Sequence, residues 1–181
     1  EHNHLNLSWK LNREDGALLV SEWQFKGAET NGGTSVRLGM YARRHLAEKD
    51  PETPSAPRQT CYGAYTLAEG TFWQSARSGR RAGVFLQAGL SPDPSNVVDF
   101  YAGLGTVLSG LVRKDGEDRL GLAVAHASLT AGAGHETTLE CTYHIPITKH
   151  LSLQPDFQIV MRPGGQKGSA WVGLLRVGIV I

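Results

Sequence analysis

Leu151-Ser-Leu-Gln-Pro-Asp-Phe-Gln-Ile-Val-Met-Arg162 decides the fold of this chain. Successive side chains of a β-strand point to opposite sides. Leu151, Leu153, Phe157, Ile159 and Met161 therefore share one face, and Ser152, Gln154, Asp156, Gln158 and Arg162 share the other. One face is oily; the other carries amides and both signs of charge. A soluble sandwich alternates too, with its polar face outermost. A transmembrane barrel reverses this, turning apolar side chains to lipid and polar ones to a watery lumen. The direction of that alternation decides function.

The same unit, a short alternating run followed by a Gly-, Pro- or Asp-rich turn, recurs from about Thr34 to Ile181. About ten strands are predicted, a number that 181 residues accommodate at membrane-spanning length. They lie near His4–Asn12, Ala17–Gly27, Thr34–Arg44, Cys61–Gln74, Ala82–Leu90, Val98–Leu111, Arg119–Thr130, Glu136–Thr148, Leu151–Arg162 and Ser169–Ile181. Arg13-Glu-Asp-Gly16, Asn31-Gly-Gly33, Lys114-Asp-Gly116 and Pro163-Gly-Gly165 supply turn chemistry between them. The stretch His45–Thr60, with Pro51, Pro54 and Pro57, is predicted to be irregular. In the last strand Trp171, Gly173, Leu175, Val177 and Ile179 line one face, and Arg176 points the other way between Leu174 and Gly178. A cation among such neighbours needs water or a carboxylate.

Composition narrows the choices. Eighteen basic and 17 acidic residues give a net charge of +1 with no block of one sign, so there is no nucleic-acid footprint. No apolar run approaches the length of a membrane helix, so insertion in a membrane is expected only as a barrel. The segment Glu-His-Asn-His at the start is not a signal peptide. Cys61 and Cys141 follow no disulfide spacing pattern, and small isolated hydrophobes is their plainer reading. No Gly-x-Ser-x-Gly elbow, dinucleotide fingerprint or full metal-ligand set is present, so no enzyme, cofactor or metal is predicted. His126 with Ser128, and His135 with Glu136, are chance neighbours on this reading.

Several stretches resemble the carbohydrate-selective porins of the OprB type. They are Gly63–Glu69, Gly83–Gly89, Val98–Leu111 with Asp118–Val124, His135–His144 and, most clearly, Leu151–Gln158 through Pro163-Gly-Gly165. The resemblance covers nearly the whole chain, most clearly Cys61–Ile181, and corresponds to the C-terminal part of a family member. It implies an all-β, antiparallel up-and-down transmembrane β-barrel in the bacterial outer membrane, passing sugars or small polar solutes by passive diffusion. The chain is then a single β-barrel domain over 1–181 or the C-terminal part of one. Ten strands alone would enclose a narrow barrel, and strands cut from a larger one leave edges that lipid does not tolerate. Completion by further barrel strands or partner subunits stays open. So does a non-conducting, porin-derived barrel acting as a partner or scaffold in an outer-membrane assembly. A soluble carrier is the remaining alternative.

A diffusive pore selects by the width, polarity and charge of its wall. By alternation the pore-lining and solute-contact candidates are Lys10, Glu22, Lys26, Arg37, Tyr41, Arg43, Asp99, Tyr101, Glu140, Asp156, Arg162 and Arg176. Arginines and carboxylates can hydrogen-bond vicinal hydroxyls, and the tyrosines can stack on a sugar ring. The plainer reading is that these groups solvate a wall or pair across strands. Trp9, Trp23, Trp73, Tyr143 and Trp171 are candidates for aromatic girdles at the membrane interfaces. Outer-membrane lipid is the expected surrounding partner.

Overall fold

Alternation over each run makes a chain of strands, and the short turns between them favour pairing of sequence neighbours. The computed structural model describes residues 17–27, 33–46, 58–92, 96–112 and 117–180. Its strands are β1 (Ala17–Lys26), β2 (Thr34–Leu46), β3 (Arg58–Gln74), β4 (Arg81–Leu90), β5 (Val98–Ser109), β6 (Arg119–Leu129), β7 (Gly134–Pro146), β8 (Leu151–Met161) and β9 (Ser169–Ile179). They form one nine-stranded sheet in sequence order, every neighbouring pair antiparallel. The tenth expected strand, at His4–Asn12 with Trp9 and Lys10, lies outside the described residues. Of the stretch expected to be irregular, Leu46 still belongs to β2 and Arg58 already to β3.

In such a meander the connections β1–β2, β3–β4, β5–β6 and β7–β8 fall at one rim, here the turn rim. The other four fall at the opposite loop rim. Among the described strands β1 and β9 are the edges, and nine antiparallel strands make them run the same way. Antiparallel closure of this sheet therefore needs an odd number of further strands between β9 and β1.

The register sets which residues share a face. One hydrogen-bonded row reads Glu69, Phe85, Gly105, Ala123, Glu140, Gln158, and another reads Leu86, Leu104, Val124, Leu139, Ile159, Trp171. The first row belongs to the polar face and the second to the apolar face. The polar face is not uniformly polar, since Leu67, Val107 and Leu174 also lie on it.

Two bulges break the alternation, and each gives one strand an extra residue. Between Thr71 and Trp73 the β3–β4 ladder skips Phe72, so that Trp73 pairs with Ala82 on the apolar face. Between Val98 and Phe100 the β5–β6 ladder skips Asp99. Pro155 sits inside β8 opposite β7, where it has no N–H to give; its carbonyl accepts from Thr142 Oγ1 at 3.3 Å.

No second layer covers the apolar face among the described residues. Among the described residues the only buried hydrophobic side chains are Cys61 and Ala82. Leu175 is 65% exposed, Trp171 67% and Leu104 49%. Each such side chain gains about 1.5–3 kcal/mol on leaving water. A continuous uncovered face of this kind marks a surface that meets another apolar phase.

Candidate functional site

On the polar face of β1 to β5, aromatic rings sit where the sequence supplies glycine. Tyr65 lies directly opposite Gly39, and its ring occupies the space that a Cβ there would fill. Tyr41 covers Gly63 in the same way, and Phe85 covers Gly105. Tyr101 leans over Gly103 on its own strand. Such aromatic–glycine pairs fill the gap a glycine leaves in a sheet. They also lay flat apolar surface along a face that carries charged side chains.

Polar groups are threaded between the rings. The Tyr65 hydroxyl reaches across β2 and donates to Glu22 Oε2 at 2.5 Å. Arg37 Nη2 stands 3.8 Å from Glu69 Oε1, the one ion pair among the described residues. Gln24 donates to Ser35 Oγ at 3.2 Å. Lys26, Ser35, Glu69, Gly83 and Phe85 line an open groove of about 430 Å³, and Arg37, Leu67 and Gln87 extend it. Carboxylate, guanidinium and amide beside an aromatic ring are the groups that bind a polyhydroxylated ring weakly and reversibly.

At the loop rim the β4–β5 connection is tied onto this face. Asn96 Nδ2 donates to Ser91 Oγ at 2.5 Å and to Cys61 Sγ at 3.2 Å. Tyr41 and Ser91 share a hydroxyl–hydroxyl bond at 2.6 Å. Thr130 Oγ1 donates to the Asn96 carbonyl, and Thr130 N–H to that of Val97 at 3.1 Å. Cys61 lies on the polar face and Cys141 on the apolar one, and both are free thiols.

Farther along, Glu140 accepts from Gln158 Nε2 at 3.3 Å, and Gln154 Nε2 donates to Thr142 Oγ1 at 3.0 Å. Asp156 Oδ1 and Asp99 Oδ1 are enclosed without a hydrogen-bond partner.

Of the residues singled out by alternation, Glu22, Lys26, Arg37, Tyr41, Arg43, Tyr101, Glu140, Asp156 and Arg176 stand on the polar face. Asp99 is the extra residue of its bulge. Arg162 lies beyond the end of β8, in the left-handed region at φ 56°. Its guanidinium approaches His135 Nε2 at 3.5 Å, and the His135 ring lies tilted against His126 of the apolar face, centres 5.3 Å apart. Lys10 lies outside the described residues. The groups that alternation missed are Tyr65, Glu69, Phe85 and Gln87. The signal for the two rings was available, because each stands opposite a glycine in register, but register is not readable from one strand.

Trp23, Trp73, Tyr143 and Trp171 all stand on the apolar face, the first three toward the turn rim and Trp171 toward the loop rim. Trp171 packs against Phe157 with the rings tilted by 52° and their centres 5.6 Å apart. The Tyr143 hydroxyl donates to Asp118 Oδ2 at 2.7 Å. Trp9 is outside the described residues.

A family model described as carbohydrate-selective porin, OprB family, matches residues 4–180. Among solved structures the chain is similar to Pseudomonas putida OprB determined at high pH, with 19% identity and a TM-score of 0.76. The match covers 97% of this chain and 51% of that one, so this chain spans about half its length. At that identity the likeness is one of fold. No curated protein sequence matches.

Proposed function

This chain belongs to the carbohydrate-selective porin family, OprB, and on that premise we propose that it forms wall of an outer-membrane pore through which sugars or small polar solutes diffuse passively. One observation carries the reading. Among the described residues the sheet is a single layer whose apolar face is uncovered and whose opposite face bears the charged and hydrogen-bonding groups. Lipid is the phase that suits the first face, and a water-filled lumen suits the second. The aromatic side chains toward both rims of the apolar face fit interfacial girdles.

Passage in this reading needs no catalytic group. Solute slides along Tyr65, Phe85 and Tyr101, exchanging hydroxyl contacts among Glu22, Arg37, Glu69 and Gln87. Contacts of this kind are open to water on one side, so each is weak, which is what a path requires if solute is also to leave. Family members are sugar-selective pores, and the open edges β1 and β9 call for an odd number of further strands to enclose the path.

The test is proteoliposome swelling with the purified chain. Vesicles carrying it should admit glucose several-fold faster than empty vesicles and should exclude a large dextran. Protein that stays soluble and monomeric without detergent would end the pore reading.

A further inference from the structure

One row of the polar face, near the turn rim, carries three arginines and a histidine. Arg119 on β6 stands opposite His144 on β7, and Gln154 on β8 stands opposite Arg176 on β9. The pairs Thr142–Asp156 and Ile145–Leu153 bracket His144 and Gln154 and set them side by side. The row continues through Ser109 to Arg81 on β4. Strands lie about 4.8 Å apart, so Arg119 and Arg176 flank a strip roughly 14 Å wide.

The described residues give Arg81, Arg119 and Arg176 no carboxylate partner, since the ion pair found is Arg37 with Glu69. All three arginines are exposed, and His144 Nδ1 is enclosed with no hydrogen-bond partner. Guanidinium groups that face one strip without counter-charges can receive a planar or tetrahedral anion. The next row on the same face begins about 6.8 Å along the strands, two residues on, with Asp156 and its unpartnered Oδ1. Glu140 and Gln158 follow in the row after that. Carboxylates repel an anion but accept from hydroxyls. One molecule that satisfies both rows carries an anionic group at one end and hydroxyls a few ångströms away.

We propose that the strip Arg119–His144–Gln154–Arg176, with Asp156 beside it, is a binding site for anionic sugars, a phosphate or carboxylate on the arginines and ring hydroxyls on Asp156. This deepens the pore reading and rests on the polar face being the solute path. Arg176, set between Leu174 and Gly178 on its strand, then has its counter-charge in the solute.

Equilibrium dialysis of the full chain in detergent tests this with glucose 6-phosphate, glucose and inorganic phosphate as probes. Glucose 6-phosphate should bind at least fivefold more tightly than either of the others. The Arg119→Gln/Arg176→Gln double variant should bring glucose 6-phosphate down to the level of glucose, while Lys149→Gln in the β7–β8 turn should change nothing. Asp156→Asn should weaken glucose 6-phosphate several-fold and leave inorganic phosphate unchanged or tighter. Unaltered β-sheet circular dichroism confirms that each variant is folded. Equal binding of glucose and glucose 6-phosphate by the wild type overturns the site, as does a double variant that keeps its preference. Inorganic phosphate binding as tightly as the sugar phosphate overturns the role of Asp156. Glucose swelling that persists while the preference is absent would sink the anion site and spare the pore.

Discussion

Tyr65 on β3 donates its hydroxyl to Glu22 on β1, and the bond passes over Gly39 of the strand between them. The three residues occupy one row of the polar face. The bridge exists because the middle position has no side chain.

Gly39→Ala should therefore displace Tyr65 and break its bond to Glu22. Overpacking of this kind costs about 1–3 kcal/mol. Guanidinium unfolding in detergent measures it. Tyr65→Phe alone should cost only about 0.5–1.5 kcal/mol, and adding it to Gly39→Ala should cost almost nothing more, because the two changes remove the same bond. Additive losses would mean that the ring does not depend on the glycine.

Leu174 and Leu175 are neighbours in β9 and lie on opposite faces of the sheet. Leu175→Arg places a cation on the apolar face and should destabilise the protein in phospholipid vesicles by about 2–4 kcal/mol. Leu174→Arg on the polar face should fall within about 0.5 kcal/mol of wild type. Equal losses at both positions, measured by denaturant titration in vesicles, would contradict the assignment of the faces.

Asp118 is fully buried in the β5–β6 connection and accepts both the Tyr143 hydroxyl and the Val112 N–H. Tyr143→Phe leaves an enclosed carboxylate short of one donor, at a cost of about 1–3 kcal/mol. The loss should show as a lower thermal midpoint in detergent. An unchanged midpoint would show that the hydroxyl is replaced by water.

Gly132 and Gly165 both hold positive φ in loop-rim turns, yet their surroundings differ. Nothing lies within 4 Å of a Cβ at Gly132, whereas one at Gly165 would strike the Ala133 carbonyl oxygen. Gly132→Ala should cost about 1 kcal/mol, the price of the left-handed backbone alone. Gly165→Ala should cost clearly more, because the β6–β7 and β8–β9 turns would have to separate. Thermal midpoints of the two variants compare them directly.

Much of the wall was legible from residue order. The run Leu151–Met161 needs only the two-residue period of a strand to divide its side chains, and the turn residues around it mark where the chain reverses. Glu22, Arg37, Glu140 and Asp156 follow from the same rule, since each sits in an unbroken alternating run. Trp73 does not. Strict alternation from Glu69 and Thr71 would place it on the polar face, and the bulge at Phe72 moves it to the apolar one. Arg162 follows the pattern of β8 in sequence but stands past the strand's last residue, where the backbone turns left-handed.

Sequence by itself determined that this chain is a series of two-faced strands joined by turns, because side-chain direction along a strand is a local property of the backbone. Only the tertiary structure decided which residues meet across strands: Tyr65 over Gly39, Phe85 over Gly105, Arg119 beside His144. Those meetings depend on register, and register is fixed by pairing, bulges and turns acting together along the whole sheet.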